Sequence, residues 1–127
     1  MSDARLAYQE AAVRGARPVR LTILLYEQII QDMGRASEAI GRKDFEGLAR
    51  EVAHATGVIG YLQATLNREA GEMVVRNLAS FYTMLREQLM EVQVRHSRDI
   101  LADLRQQMLE VREAWLKVEE DSSDDIA

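Results

Sequence analysis

Residues 18–40 read PVRLTILLYEQIIQDMGRASEAI, and the reading of this stretch decides the fold. Leu21, Leu25, Ile29, Met33, Ala36 and Ile40 recur at spacings of three and four, which places them on one face of an α-helix. One such stripe is enough to dock a helix on a core. This helix carries a second stripe, Ile23, Tyr26 and Ile30, with Leu24 beside it. A helix apolar over that much of its circumference requires cover on more than one side. The cover comes either from its own fold or from another polypeptide.

The rest of the chain supplies three partners of the same kind. Pro18 suits a first helical position, which makes Arg17 the cap and forgoes roughly 1 kcal/mol relative to Ser or Asp. Gly41 is the expected stop, and Asp44 caps the next helix after a link so short that the two must run antiparallel. That second helix is expected over 45–67, with Phe45, Leu48, Val52, Ala55, Ile59, Leu62 and Leu66 as its seam. Beside the seam runs a strip of small residues, Ala49, Ala53, Gly57, Gly60 and Ala64. Two glycines in mid-helix each cost up to roughly 1 kcal/mol against alanine, so the strip implies close approach of another backbone. A neighbouring helix of the same bundle would meet that need, and so would a partner's helix.

After a connection at 68–71, the third helix is expected to reach about residue 94, with Val74, Leu78, Phe81, Leu85, Leu89 and Val92 as its core stripe. Met73, Tyr82 and Met84 lie off that stripe. Ser97 caps the fourth helix, whose Leu101, Leu104, Met108, Val111, Trp115 and Val118 step by three and four. Trp115 would close one end of the core with its indole N–H at the rim. The expected architecture is all-α: an antiparallel up-down four-helix bundle over 18–118. An N-terminal arm over 1–17 precedes it and a disordered acidic tail over 119–127 follows. The arm either frays or folds back on the exposed side of the first helix with Tyr8 as its anchor.

Composition narrows the function. The 127 residues carry a net charge of −5 and no cysteine, which removes disulfides, thiolate metal sites and thiol catalysis. The charge is uneven, +2 over residues 1–20 and −5 over 119–127, and the body lacks the clustered Lys and Arg of a nucleic-acid surface. No stretch approaches the roughly 20 apolar residues of a membrane span, and the N-terminus has no apolar signal core, so a cytoplasmic protein without membrane insertion is expected.

Catalytic equipment is sparse. A di-metal carboxylate site in a bundle needs two Glu-x-x-His pairs and further inward glutamates. Glu51-Val52-Ala53-His54 provides one pair by letters, but His96 has Gln93 at the matching position. The serines have no evident acid–base partners, and no glycine-rich turn follows a strand. The expectation is a binding module with no metal, no cofactor and no catalytic residues.

Several short motifs, taken together, resemble a known family. They are Tyr8, then VRGARPVRLTILLY over 13–26, Lys43-Asp44-Phe45-Glu46, residues 59–66, Gly71, Asn77-Leu78 with Phe81-Tyr82, and Val111-Arg112-Glu113-Ala114-Trp115. Their order and spacing are similar to those of the flagellar secretion chaperone FliS family. The resemblance implies a helical bundle that binds the C-terminal segment of new flagellin in the cytoplasm. Such a bundle prevents early polymerisation and hands the client to the export apparatus. It also implies that Tyr8, Asn77 and Tyr82 match family positions. Ile23, Tyr26, Ile30, Ala53, Gly57, Gly60 and Ala64 would then belong to the client surface. The chain departs from the family at Gly15-Ala16-Arg17-Pro18, at Tyr26-Glu27-Gln28 and at Val92-Gln93, the pattern of a diverged member. A bundle that self-associates through its extra stripe, as a homodimer, is the rival expectation.

Overall fold

The computed structural model describes residues 18–126. The arm over 1–17, with Tyr8, lies outside the described residues. The chain forms α1 (Val19–Gly41), α2 (Phe45–Ala64), a short 3-10 turn (Arg68–Ala70), α3 (Glu72–Arg95) and α4 (Arg98–Ile126). It is the antiparallel bundle that the apolar spacing predicts. α1 packs chiefly on α2 and α4, α3 packs chiefly on α2, and α1 and α3 stand on a diagonal. The core contains Ile29, Met33 and Ala36 of α1, Leu48, Val52, Ile59 and Leu62 of α2, Leu85, Leu89 and Val92 of α3, and Leu101, Leu104 and Met108 of α4.

The helix ends show where local chemistry overrides the spacing. Pro18 is the N-cap itself, with extended backbone (φ −60°, ψ 142°), and its carbonyl accepts from the Thr22 N–H at 3.2 Å. The expected cap, Arg17, lies outside the described residues. α1 runs through Gly41 and turns at Lys43, which takes the left-handed conformation at φ 59°. The Lys43 N–H then donates to the Ile40 carbonyl at 3.0 Å and the Asp44 N–H to the Ala39 carbonyl at 2.8 Å, the paired bonds of a Schellman motif. Asp44 caps α2 by accepting from the Gly47 N–H at 2.9 Å. A Cβ on residue 47 would meet that carboxylate, so a larger residue there would push the Asp44 cap out of its present position. α2 stops at Ala64, three residues short of the expected end. There the Thr65 hydroxyl donates back to the Tyr61 carbonyl at 2.8 Å. Ser97 caps α4 as expected, accepting from the Ile100 N–H at 3.1 Å.

α4 also departs from expectation. It continues as helix past Val118 to Ile126, through the residues expected to form a loose tail. As far as Glu119, α4 keeps a seven-residue register with α1. Arg20 Nε donates to Glu119 at 2.8 Å and Arg112 Nη2 donates to Glu27 at 2.6 Å. The same step sets Gly34 opposite Arg105 and Gly41 opposite Arg98. The bond to Glu119 raises the Arg20 guanidinium above its ordinary value. Ile23 and Ile30 lie within one turn of Glu27, on the side that α4 covers. Ile23 is fully buried and Ile30 nearly so.

Candidate functional site

Tyr26 is a core residue and not a surface one. Its ring has no exposed surface and meets the Tyr82 ring edge-on at 6.3 Å and the Trp115 ring edge-on at 6.5 Å. The Tyr26 and Tyr82 hydroxyls lie 2.7 Å apart. Ile23, Tyr26, Ile30 and Tyr82, expected on the client surface, are therefore enclosed by the fold. The second apolar stripe of α1 is covered by its siblings, because the register with α4 lays that helix over Ile23 and Ile30.

A polar cluster unforeseen in the sequence ties α1 to α2. Asp32 is fully buried, and its carboxylate accepts from Gln28 Nε2 at 3.0 Å and Arg35 Nη2 at 2.5 Å. His54 Nδ1 lies 2.5 Å from its other oxygen. Arg35 also donates to Glu51 at 3.0 Å, a bond that raises the guanidinium above its ordinary value. The Glu51–His54 pair is thus spent on α1 and does not turn inward. Among the described residues no group of His, Asp and Glu side chains is placed to hold a metal ion. Asp32 sits between Ile29 and Met33 in sequence, but what encloses its carboxylate comes from both α1 and α2.

The small-residue strip behaves in the opposite way to the α1 stripe. Ala53, Gly57 and Ala64 are exposed and Gly60 is half-buried. Among the described residues, a Cβ added at Gly57 or Gly60 would meet nothing within 4 Å. No helix of the bundle packs there, so the close neighbour implied by the two glycines is not within the described fold. Tyr61 projects beside the strip, 38 % exposed.

The strip leads into further recesses. Gln63, one turn from Gly60, donates to the Ala79 carbonyl at 3.4 Å and to the Thr83 hydroxyl at 2.9 Å. Ala79 and Val75 line an open groove with Arg68, Glu72 and Arg76. Val75 also lines a second, partly enclosed cleft of about 110 Å³, walled by Val19, Leu66, Val74, Leu78 and Trp115 among others. The Trp115 indole N–H does not reach the rim as expected. It is buried and has no acceptor among the described residues. Asn77 is exposed on α3, as are Met73, Met90 and Val94. What the surface offers is shape and apolar contact along α2 and the start of α3.

In sequence, the family described as Flagellar protein FliS matches residues 1–122. The chain belongs to the FliS family. It is 27 % identical over 109 residues to the flagellar secretion chaperone FliS of Bacillus subtilis, covering 86 % of this chain and 80 % of that one. It is 28 % identical over 106 residues to the flagellar secretion chaperone FliSB of Pseudomonas aeruginosa, covering 84 % of each. The resemblance read from short motifs is thus a family relationship extending over most of the chain. Among the described residues no helix is long and apolar enough to cross a membrane.

Proposed function

We propose that this chain is a cytoplasmic export chaperone that binds the C-terminal segment of flagellin or a flagellin-like client. It keeps the client from polymerising early and delivers it to the flagellar export apparatus. The observation that carries the reading is the open strip over Ala53, Gly57, Gly60 and Ala64 in a member of this family. Mid-helix glycines cost stability, and the described bundle gives nothing back for them. A client helix laid on the strip would, because bare backbone permits the approach that a Cβ would block. This is the helix-in-groove mode of recognition.

Ordering a disordered client segment costs several kcal/mol, so a long contact is needed to offset it. The groove at Val75 and Ala79 and the cleft share Val75, and a long client would combine them with the strip. The mechanism requires no cofactor and no covalent step. The client's filament-forming residues are hidden while they lie against the bundle and released when it is handed on. In this reading Asn77 flanks the path, while Ile23, Tyr26, Ile30 and Tyr82 shape it from beneath as core.

The test is calorimetry and light scattering with a peptide spanning the C-terminal region of a flagellin from the same organism. A one-to-one complex with saturable heat is the expected result. A stable homodimer indifferent to the peptide would transfer the exposed apolar surface to self-association and end the chaperone reading.

A further inference from the structure

α4 outlasts the helix it packs against. The bonds Arg20–Glu119 and Glu27–Arg112, with Gly34 opposite Arg105 and Gly41 opposite Arg98, set one register along the whole contact. By that register Val19, the first residue of α1, stands opposite Glu120. α4 then runs on through residues 121–126, an overhang of about 9 Å at 1.5 Å per residue.

The overhang is a poor helix by its own chemistry. Residues 120–126 read EDSSDDI. Asp and Ser rank low in helix propensity, and the acids meet the negative end of the helix dipole with no base in the last turn. Within α4 the nearest base is Lys117, which at three and four residues reaches Glu120 and Asp121 but not Asp124 or Asp125. Positive charge for the end of the overhang has to come from outside α4.

The same chain delivers that charge to this spot. Its N-terminal arm enters α1 at Pro18, which the register sets opposite Asp121. Residues 11–17 read AAVRGAR, with Arg14 and Arg17 and no acid. Arg17 adjoins Pro18, and Arg14 lies four residues away on a tether of up to about 14 Å, long enough to span the overhang. Just inside α1, Arg20 already meets Glu119 through both Nε and Nη2, so the first rung of such a ladder is in place.

We propose that the overhang of α4 is the docking surface for the root of the chain's own arm, residues 11–17, with Arg14 and Arg17 paired to Asp121, Asp124 and Asp125. The two ends of the chain are thereby strapped together at one end of the bundle. The pairing does not depend on what the strip on α2 binds.

Amide hydrogen exchange over residues 120–126, measured on the full chain, tests the strap. Arg14→Glu with Arg17→Glu is expected to speed exchange there about two- to tenfold, the range that two exposed ion pairs support. In a chain carrying Asp124→Lys and Asp125→Lys, the same arm reversal is expected to slow it. Whatever the lysines add at the helix end is common to both arms and cancels in this cycle. In about 1 M NaCl, where the screening length is about 3 Å, the difference between the unaltered chain and the arm variant should vanish. Arm reversal that acts equally with either tail, or not at all, overturns the strap. So does a difference that survives the salt.

Discussion

The hydroxyl oxygens of Tyr26 and Tyr82 lie 2.7 Å apart across the diagonal of the bundle, between two rings with no exposed surface. α1 and α3 pack on α2 and α4 more than on each other, so this bond pins two helices that are otherwise held through intermediaries. A buried hydroxyl–hydroxyl bond is worth about 1 kcal/mol net, and removing one partner costs more than removing both.

Tyr26→Phe and Tyr82→Phe are each expected to lower unfolding stability by about 1–2 kcal/mol. The double variant should cost less than the sum of the two, with a coupling of about 1 kcal/mol. Urea denaturation of the four proteins of the cycle measures it. Strict additivity would show that the two hydroxyls do not depend on each other.

Asp32 has three partners, and they are unequal. Asp32→Asn removes the charge that Arg35 and His54 face and presents an N–H₂ where an acceptor stood. It is expected to destabilise by about 1–3 kcal/mol. His54→Ala should cost less, because the imidazole is 56 % exposed and water replaces it at the rim. Chemical denaturation ranks the two variants. A larger loss for His54→Ala would mean that the histidine, and not the buried carboxylate, joins α1 to α2.

Much of this fold is legible in the sequence, and the reasons are local. The three–four spacing of Leu48, Val52, Ile59 and Leu62 is a property of one helix. So are the caps at Asp44 and Ser97. What spacing cannot show is which stripe meets which helix. Ile23 and Ile30 are surplus in a single-helix pattern until the Arg20–Glu119 and Glu27–Arg112 register lays α4 over them. The small strip is most simply read as a seam, and only the packing reveals that it faces outward. Asp32 is invisible for the same reason. Its carboxylate is buried by partners from its own helix and from another, and no single-helix pattern encodes the second set.

Lys43 ends α1 with φ 59°, a conformation that costs an L side chain roughly 1–2 kcal/mol and costs glycine nothing. The side chain of Lys43 is exposed, so little packing opposes its removal. Lys43→Gly is expected to gain about 0.5–1 kcal/mol after the added flexibility of the unfolded chain is subtracted. Thermal unfolding followed at 222 nm checks it. A lower midpoint would show that the Lys43 side chain makes a stabilising contact that outweighs the backbone strain.

Gly57 and Gly60 allow stability and client binding to be separated. Both are helical, and a Cβ at either position would meet nothing within 4 Å among the described residues. Alanine therefore brings its helix propensity with no steric cost to the free protein, and each of Gly57→Ala and Gly60→Ala is expected to raise stability by about 0.5–1 kcal/mol. The same Cβ atoms stand where a client backbone would lie closest, so affinity for the flagellin C-terminal peptide should fall as stability rises. Gly57→Leu, with a larger obstruction, should reduce binding further while leaving the helices intact. A residue that serves the fold loses stability and binding together. One kept for a guest gains the first while losing the second. Denaturation and calorimetry on the same three variants distinguish these outcomes. If affinity holds in Gly57→Leu, the strip is bare surface, and the client must be sought on another face of the bundle.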